Sequence, residues 1–178
     1  MNDAWWSLSR ATGIVATVLV VAALVFGFFF SSRNTGDRRR PAWWLDLHNW
    51  LGGLALAFTA VHIVTVYLDT NSGIGVLAVL VPGAAHDSTW AIAWGVIATY
   101  LLAFAVFTSW PRKRFSRRIW RIIHLGSVLG TVLAGLHAFQ IGTDATELAF
   151  EVGLVVCATL TVYAIAIRVF GLLTRDRA

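Results

Sequence analysis

Cysteine and charged residues are scarce in this sequence. Of its 178 residues, one is cysteine and 13% are charged. The single cysteine, Cys157, excludes an internal disulfide and a metal site built from several cysteines. Soluble domains carry about 25% charged residues, and a chain this short cannot hide its 58% hydrophobic content in a water-soluble core. The low charge and the high hydrophobic content together indicate an integral membrane protein.

A secretory signal is also missing. The N-terminal stretch MNDAWWSLSR has neither a positive n-region nor a small-residue cleavage site. We therefore expect the first apolar run to be retained as a membrane helix.

Long apolar runs are what the sequence has in abundance. Five runs meet the requirement of about 20 mostly apolar residues for one membrane crossing. They predict an all-α membrane protein, a five-helix bundle that forms a single domain over residues 1–178. A shorter apolar piece at 74–83 is predicted to be re-entrant or interfacial. The predicted spans cover residues 10–30, 45–68, 90–110, 119–141 and 148–172.

Lysine and arginine are absent from the loops that follow the second and fourth spans. All of the 14 basic residues except Arg10 lie in the other two loops or toward the C-terminus. Because cytoplasmic loops carry an excess of Lys and Arg, this pattern places the N-terminus outside and the C-terminus in the cytoplasm. The positive-inside pattern therefore explains the net charge of +5. We expect membrane lipid as a partner and no nucleic acid.

Four histidines lie inside two of the predicted spans. His48 and His62 lie near the two ends of the second span, and His124 and His137 occupy matching depths in the fourth. Ionisable residues inside a membrane span usually face a functional interior. Both spans run in the same direction, so the histidines form an inner and an outer pair, about 20 Å apart along the axis.

These pairs suit one kind of metal group. Zinc prefers a compact tetrahedral cluster, which histidines at two separate depths cannot form. A haem iron takes one axial ligand from each face, so two bis-histidine b haems match the number and depth of the histidines.

The spacing within each span gives a mixed result. Fourteen residues separate His48 from His62, about 3.9 helical turns, so both share one face. Thirteen separate His124 from His137, about 3.6 turns, so a tilt, a bend or a bulge must align them. Four nearby glycines serve either the approach of a flat porphyrin or close helix packing. They are Gly52, Gly53, Gly126 and Gly130.

The two histidine-bearing spans resemble the ferric reductase-like transmembrane domain family, which includes the membrane parts of NADPH oxidases and the bacterial methionine sulfoxide reductase haem subunit. Its signature is His-x13-His and His-x12/13-His on two helices with one helix between them. His48-x13-His62 and His124-x12-His137 match both spacings. The stretch WSLSRATGIVA also resembles the family's Arg-x-x-Gly helix start. Many relatives have six spans, and the one missing here should be their extra N-terminal helix.

The resemblance implies a diheme b-type cytochrome in the plasma membrane of a bacterium. Electrons would pass from a cytoplasmic-side donor to the His48/His124 haem, then to the His62/His137 haem and an outer-side acceptor. No Gly-rich nucleotide motif follows the last span. We therefore expect an oxidoreductase electron-transfer subunit without its own flavin or NAD domain, which works with a separate flavoprotein or other redox partner.

Two arginines are candidate partners of the haem propionates. Arg121 lies near His124 in sequence, within a basic cluster that could also dock an acidic flavoprotein or anionic lipid. Arg10 is the only basic residue on the predicted outer side, where it could hold a propionate or an anionic acceptor, or simply snorkel. His86, in an outer loop, is either solvated or a contact for substrate or metal.

Two other functions remain open. A quinone-coupled cytochrome b would serve as the membrane anchor of a dehydrogenase or hydrogenase, and it predicts haem reduction that depends on quinone. A non-redox packing or transport protein would carry its histidines incidentally and would bind no haem. The sequence does not identify the electron donor or acceptor.

Overall fold

The computed structural model describes residues 3–32, 42–109, 115–142 and 147–173. In these ranges all regular structure is helical, and five helices are long and apolar enough to cross a membrane. The predicted five-helix fold is therefore confirmed. The elements are α1 (Asp3–Ser32), α2 (Ala42–Leu68), a 3-10 turn (Thr70–Ser72), α3 (Val76–Leu80), α4 (Thr89–Ser109), α5 (Arg117–Ile141) and α6 (Leu148–Leu173).

Each helix satisfies the hydrogen bonds of its own backbone. This is required in a membrane, because the bilayer core holds no water that could satisfy them. The shortest of the five, α4, has 21 residues, and roughly 31 Å of helix crosses a hydrocarbon layer of about 30 Å. Helix α1 begins at Asp3, well before the predicted start at residue 10. Hydropathy marks only the part inside hydrocarbon, whereas the helix continues through the aromatic interface at Trp5 and Trp6.

The short apolar piece at 74–83 contains the five-residue helix α3. The hydroxyl of Tyr100 donates to the carbonyl of Leu80 at 2.6 Å. Ala78 of α3 and the buried Ala85 pack against Ile92 and Val96 of α4. This segment therefore folds back against the start of α4.

Two antiparallel hairpins form the bundle. Helix α1 pairs with α2, since Ser9 contacts His62 and Ala23 contacts His48. Helix α4 pairs with α5 in the same way. The rings of both histidine pairs meet between α2 and α5, so these two helices run in the same direction.

We call the end of the bundle where α2 and α5 begin the inner end, and the opposite end the outer end, after the predicted orientation. Helix α6 lies along α1, and Nη1 of Arg168 donates to the carbonyl of Ser31 at the inner end, at 3.4 Å. The basic stretches at 33–41, 110–114 and 174–178 lie outside the described residues. The orientation therefore stays a prediction.

Small residues build the interior of the bundle. Alanine is the commonest buried residue, followed by threonine and valine, and a cluster of Val20, Val21 and Ala55 lies between the levels of the two histidine pairs. Large side chains such as Trp50 and Phe104 are exposed, as expected where a helix faces lipid acyl chains. The small interior side chains leave space between the hairpins.

Candidate functional site

The structure brings the four histidines together as two pairs, each with one ring from α2 and one from α5. The ring centroids of His62 and His137 are 6.2 Å apart, with the planes at 80°. Those of His48 and His124 are 5.7 Å apart, with the planes at 70°. Helix α5 presents both of its histidines to α2 as a continuous α-helix, so no bulge interrupts it.

Three of the histidines make the same contact with a neighbouring helix. In each, Nδ1 lies within hydrogen-bonding distance of a main-chain carbonyl of α1 or α4. Because a carbonyl oxygen only accepts hydrogen bonds, each Nδ1 carries the ring proton. Each Nε2 is then unprotonated, which is the form that binds a metal. The contacts are His62 to Ser9 at 2.7 Å, His48 to Ala23 at 2.8 Å and His137 to Ala91 at 2.7 Å.

A glycine lies one helical turn after each of these carbonyls, and the histidine ring packs on it. A Cβ added at Gly95 would lie 2.8 Å from Nδ1 of His137. A Cβ at Gly13 or Gly27 would lie 3.0 Å from the nearest ring atom of its histidine. Real Cβ atoms almost never approach as closely as at Gly95, so that position requires glycine, and a Cβ at Gly13 or Gly27 would force the ring to shift by a few tenths of an ångström.

The sequence prediction included Gly13 only as part of the Arg-x-x-Gly stretch and did not include Gly27 or Gly95, although the sequence carries a signal for a glycine pair on α1. Gly13 and Gly27 are fourteen residues apart, the same spacing as His48 and His62. Two antiparallel helices with matching periods place such positions opposite each other at two levels.

The glycines that the sequence did single out have different surroundings. A Cβ at Gly130 would lie 3.2 Å from Cβ of Leu101, and one at Gly126 would lie 3.5 Å from Cδ2 of the same leucine. These two glycines therefore allow close packing of α5 on α4. A Cβ at Gly53 would meet nothing within 4 Å, and one at Gly52 would meet only Val106, at 4.0 Å.

His124 has partners unlike those of the other three histidines. Its Nδ1 lies 3.3 Å from Oγ of Ser109. The ring of Trp120 stacks on it, with centroids 4.9 Å apart and planes at 19°. Nε1 of Trp120 donates to the same Oγ at 3.3 Å. A serine hydroxyl and an indole ring thus hold this ligand in place.

A cavity of about 590 Å³ surrounds the outer pair. Pockets for cofactors and ligands typically measure about 300–1,000 Å³. Small residues such as Gly13 and Gly95 line its walls, and the polar side chains of Arg10, Asp69 and Asn71 also face it. The cavity can thus hold a largely apolar group that carries charge at one edge.

The donor set fits haem better than a bare metal ion. Among the described residues, no group of three or more His, Cys, Asp or Glu side chains could hold a metal ion. Haem supplies four nitrogens of its own and needs two axial ligands. With metal–nitrogen bonds of about 2 Å, imidazoles on opposite sides of an iron have centroids roughly 6 Å apart. The observed separations are 5.7 and 6.2 Å.

The two predicted anion partners lie in different places. Arg10 lines the outer cavity, and its guanidinium carbon is 4.1 Å from the centroid of the Trp6 ring. Arg121 is exposed and lines a surface groove of α5 together with Arg117 and Arg118. The structure therefore brings Arg10 to the outer pair, and it places Arg121 at the surface of the inner end. His86 is exposed in the loop before α4 and does not line the outer cavity.

Asp69 is a cavity residue that sequence reasoning missed. Its side chain is buried and lines the outer cavity, and its carboxylate accepts the N–H of Asn71 at 3.1 Å. It caps the short turn that follows α2. No sequence signal distinguishes it from an ordinary aspartate at the end of a helix.

Residues 10–135 match the family model described as ferric reductase like transmembrane component. The match includes His48, His62 and His124 and ends two residues before His137. A search of curated proteins finds no match. Because the family match extends over more than half of the chain, this multi-pass membrane protein belongs to the ferric reductase-like transmembrane component family.

Proposed function

We propose that the protein is a diheme b-type cytochrome that moves electrons across the membrane. Family membership supports a membrane electron-transfer subunit that works with a redox partner. The observation that carries the finer proposal is the presence of two histidine pairs at two levels of the bundle. Each pair joins imidazoles from opposite helices at a separation that suits axial ligation of one iron.

The four histidines would each bind iron through Nε2. His48 and His124 would hold the inner haem, and His62 and His137 the outer one. Bound haem supplies the one-electron redox chemistry. The carbonyls behind the rings fix the tautomer and orientation of three ligands and make their Nε2 atoms more basic.

The remaining residues would control access and charge. The apolar bundle excludes water from both levels and so favours electron transfer over side reactions. Arg10, in the outer cavity, would offset the charge of a propionate or of an anionic acceptor. With the predicted orientation, electrons enter from a cytoplasmic-side donor at the inner end and leave at the outer end.

The test is to purify the protein in detergent after expression with haem available. Oxidised and dithionite-reduced absorption spectra give the haem type, and haem b is quantified per chain. We expect about two haems per chain, and about one after either His62→Ala or His137→Ala. His86→Ala is the matched control and should keep the wild-type content. A folded sample without haem would contradict the proposal.

A quinone-coupled cytochrome is the second candidate. It is favoured by the buried carboxylate of Asp69, which lines the same cavity as the outer histidines. Oxidation of a quinol releases protons along with electrons, and a nearby carboxylate can accept them. The candidate predicts that a short-chain quinol reduces the haem-loaded protein, and that Asp69→Asn slows this step. No haem reduction by quinol would exclude it.

A further inference from the structure

Four carbonyl positions on α1 and α4 face the four histidines at one regular spacing. Ser9 and Ala23 are fourteen residues apart on α1, and Ala91 and Ala105 are fourteen apart on α4. The first three accept a histidine Nδ1–H directly, and a glycine follows each of them one turn later. At the fourth place, the residue one turn after Ala105 is Ser109.

The hydroxyl of Ser109 is a second acceptor for His124, beside the backbone carbonyl of Ala105. Its Oγ donates to the carbonyl of Ala105 at 2.7 Å. Since a hydroxyl has only one proton, Oγ must accept in its other two contacts. It accepts from Nδ1 of His124 and from Nε1 of Trp120, each at 3.3 Å.

His124 therefore shares its Nδ1–H between this hydroxyl and the carbonyl of Ala105, whereas each of the other three histidines donates to one carbonyl. Their carbonyl contacts measure 2.7 to 2.8 Å, whereas the hydroxyl contact measures 3.3 Å and is shared with an indole N–H. A hydrogen bond from Nδ1–H makes the metal-binding nitrogen of a histidine more basic. The shared hydrogen bond leaves Nε2 of His124 less basic than the other three.

We propose that Ser109 is a positioning residue that makes the inner haem site different from the outer one. It adds a shared hydroxyl to the backbone carbonyl of Ala105 as the partner of one axial ligand. The inference rests on the proposed function. A ligand that donates less charge stabilises ferric iron less, so Ser109 raises the midpoint potential of the inner haem. Both ligands of the outer site bind carbonyls.

The test is a spectroscopic redox titration of the haem-loaded protein, with electron paramagnetic resonance of the ferric state. Ser109→Gly leaves the carbonyl of Ala105 as the acceptor for His124, the kind of partner that the other histidines have. We expect one of the two haem components to shift to lower potential and to change its resonance, while the other stays. Ser109→Thr keeps a hydroxyl and should keep both potentials near those of the wild type.

The matched control is Ser127→Ala. Ser127 also lies beside His124, but its hydroxyl donates to the main-chain carbonyl of that residue at 2.7 Å and does not bond the ring. Its loss should leave both potentials unchanged. An equal shift in the control would show a general effect of a lost hydroxyl and would overturn the inference.

A second variant covers the case in which Ser109→Gly loses the inner haem. Trp120→Phe keeps an aromatic ring on His124 but removes the N–H that competes for Oγ of Ser109. The same component should shift to lower potential, because the hydroxyl then accepts from His124 alone. If Ser109→Gly or Trp120→Phe retains both haems and neither midpoint potential changes, the inference is overturned and the proposed function stays intact. A wild-type protein without haem would instead overturn the proposed function.

Discussion

Single residues behind the histidines decide how the rings are held. Three rings rest on a glycine and donate to the carbonyl one turn before it, so both the tautomer and the ring position are fixed by backbone atoms. Backbone atoms of a helix move less than side chains do. Loss of a partner that orients a metal ligand typically costs roughly 10–100-fold in metal affinity.

Replacement of Gly95 by alanine tests this arrangement. The new Cβ would lie 2.8 Å from Nδ1 and 2.9 Å from Cε1 of His137, so the ring must move away from the outer cavity. We expect Gly95→Ala to lower haem content from about two to about one per chain, measured as haem b per purified protein. Gly153→Ala is the control, since a Cβ there meets nothing within 4 Å. Full haem content in Gly95→Ala would show that the close approach is not required.

The histidines could be predicted from sequence, whereas Gly27 and Gly95 were not predicted and Gly13 was singled out only within the Arg-x-x-Gly stretch. An ionisable residue stands out in an apolar span because burying it is costly. Glycine is common in membrane helices, and the ring that makes Gly95 necessary belongs to another helix. Nearness to His124 in sequence did not show that the Arg121 side chain lies in a surface groove, and its role as a propionate partner stays a prediction.

At the scale of helices, the α4–α5 hairpin depends on close backbone approach at one point. A Cβ at Gly130 would lie 3.2 Å from Cβ of Leu101 and 3.4 Å from the carbonyl of Ala98. Gly126, one turn earlier, faces the same leucine with more room. The hairpin holds both the carbonyls of α4 and the histidines of α5, so its packing determines how the histidines align with those carbonyls.

Gly130→Val should separate these two helices. Overpacking a tight contact costs about 1–3 kcal/mol, so we expect a lower thermal unfolding temperature in detergent, together with lower haem content. Gly153→Val introduces the same side chain where there is open space and serves as the control. Equal stability of the two variants would show that α4 and α5 tolerate a wider separation.

The existence of the long helices was predictable, but some of their boundaries were not. Runs of apolar residues identify the spans because a bilayer admits only structures that satisfy their own backbone. At the ends of a helix, water can hydrogen-bond the backbone, so polar residues are tolerated there. Hydropathy therefore does not show at which residue the helix begins or ends. Helix α1 therefore begins earlier than predicted, and α5 begins at Arg117, after a Ser116 side chain that accepts the N–H of Ile119.

For the whole molecule, the proposed direction of electron transfer depends on the orientation in the membrane. The charge pattern predicts the inner end in the cytoplasm. In a Cys157→Ala background, His86→Cys and Phe115→Cys place single thiols at exposed positions on opposite ends of the bundle. An impermeant maleimide on intact cells should label position 86, and position 115 only after the membrane is opened. The reverse pattern would contradict the orientation.

Each histidine pair takes one ring from each hairpin, and this ties maturation of the protein to the order of its synthesis. The ribosome delivers α1 and α2, with His48 and His62, to the bilayer before α5 exists. Neither level has its second ring until the later hairpin has been translated, inserted and docked beside the first. The early hairpin therefore stays in the lipid with its two imidazoles unmatched until then, and loading of the proposed haems would belong to the last stage of assembly.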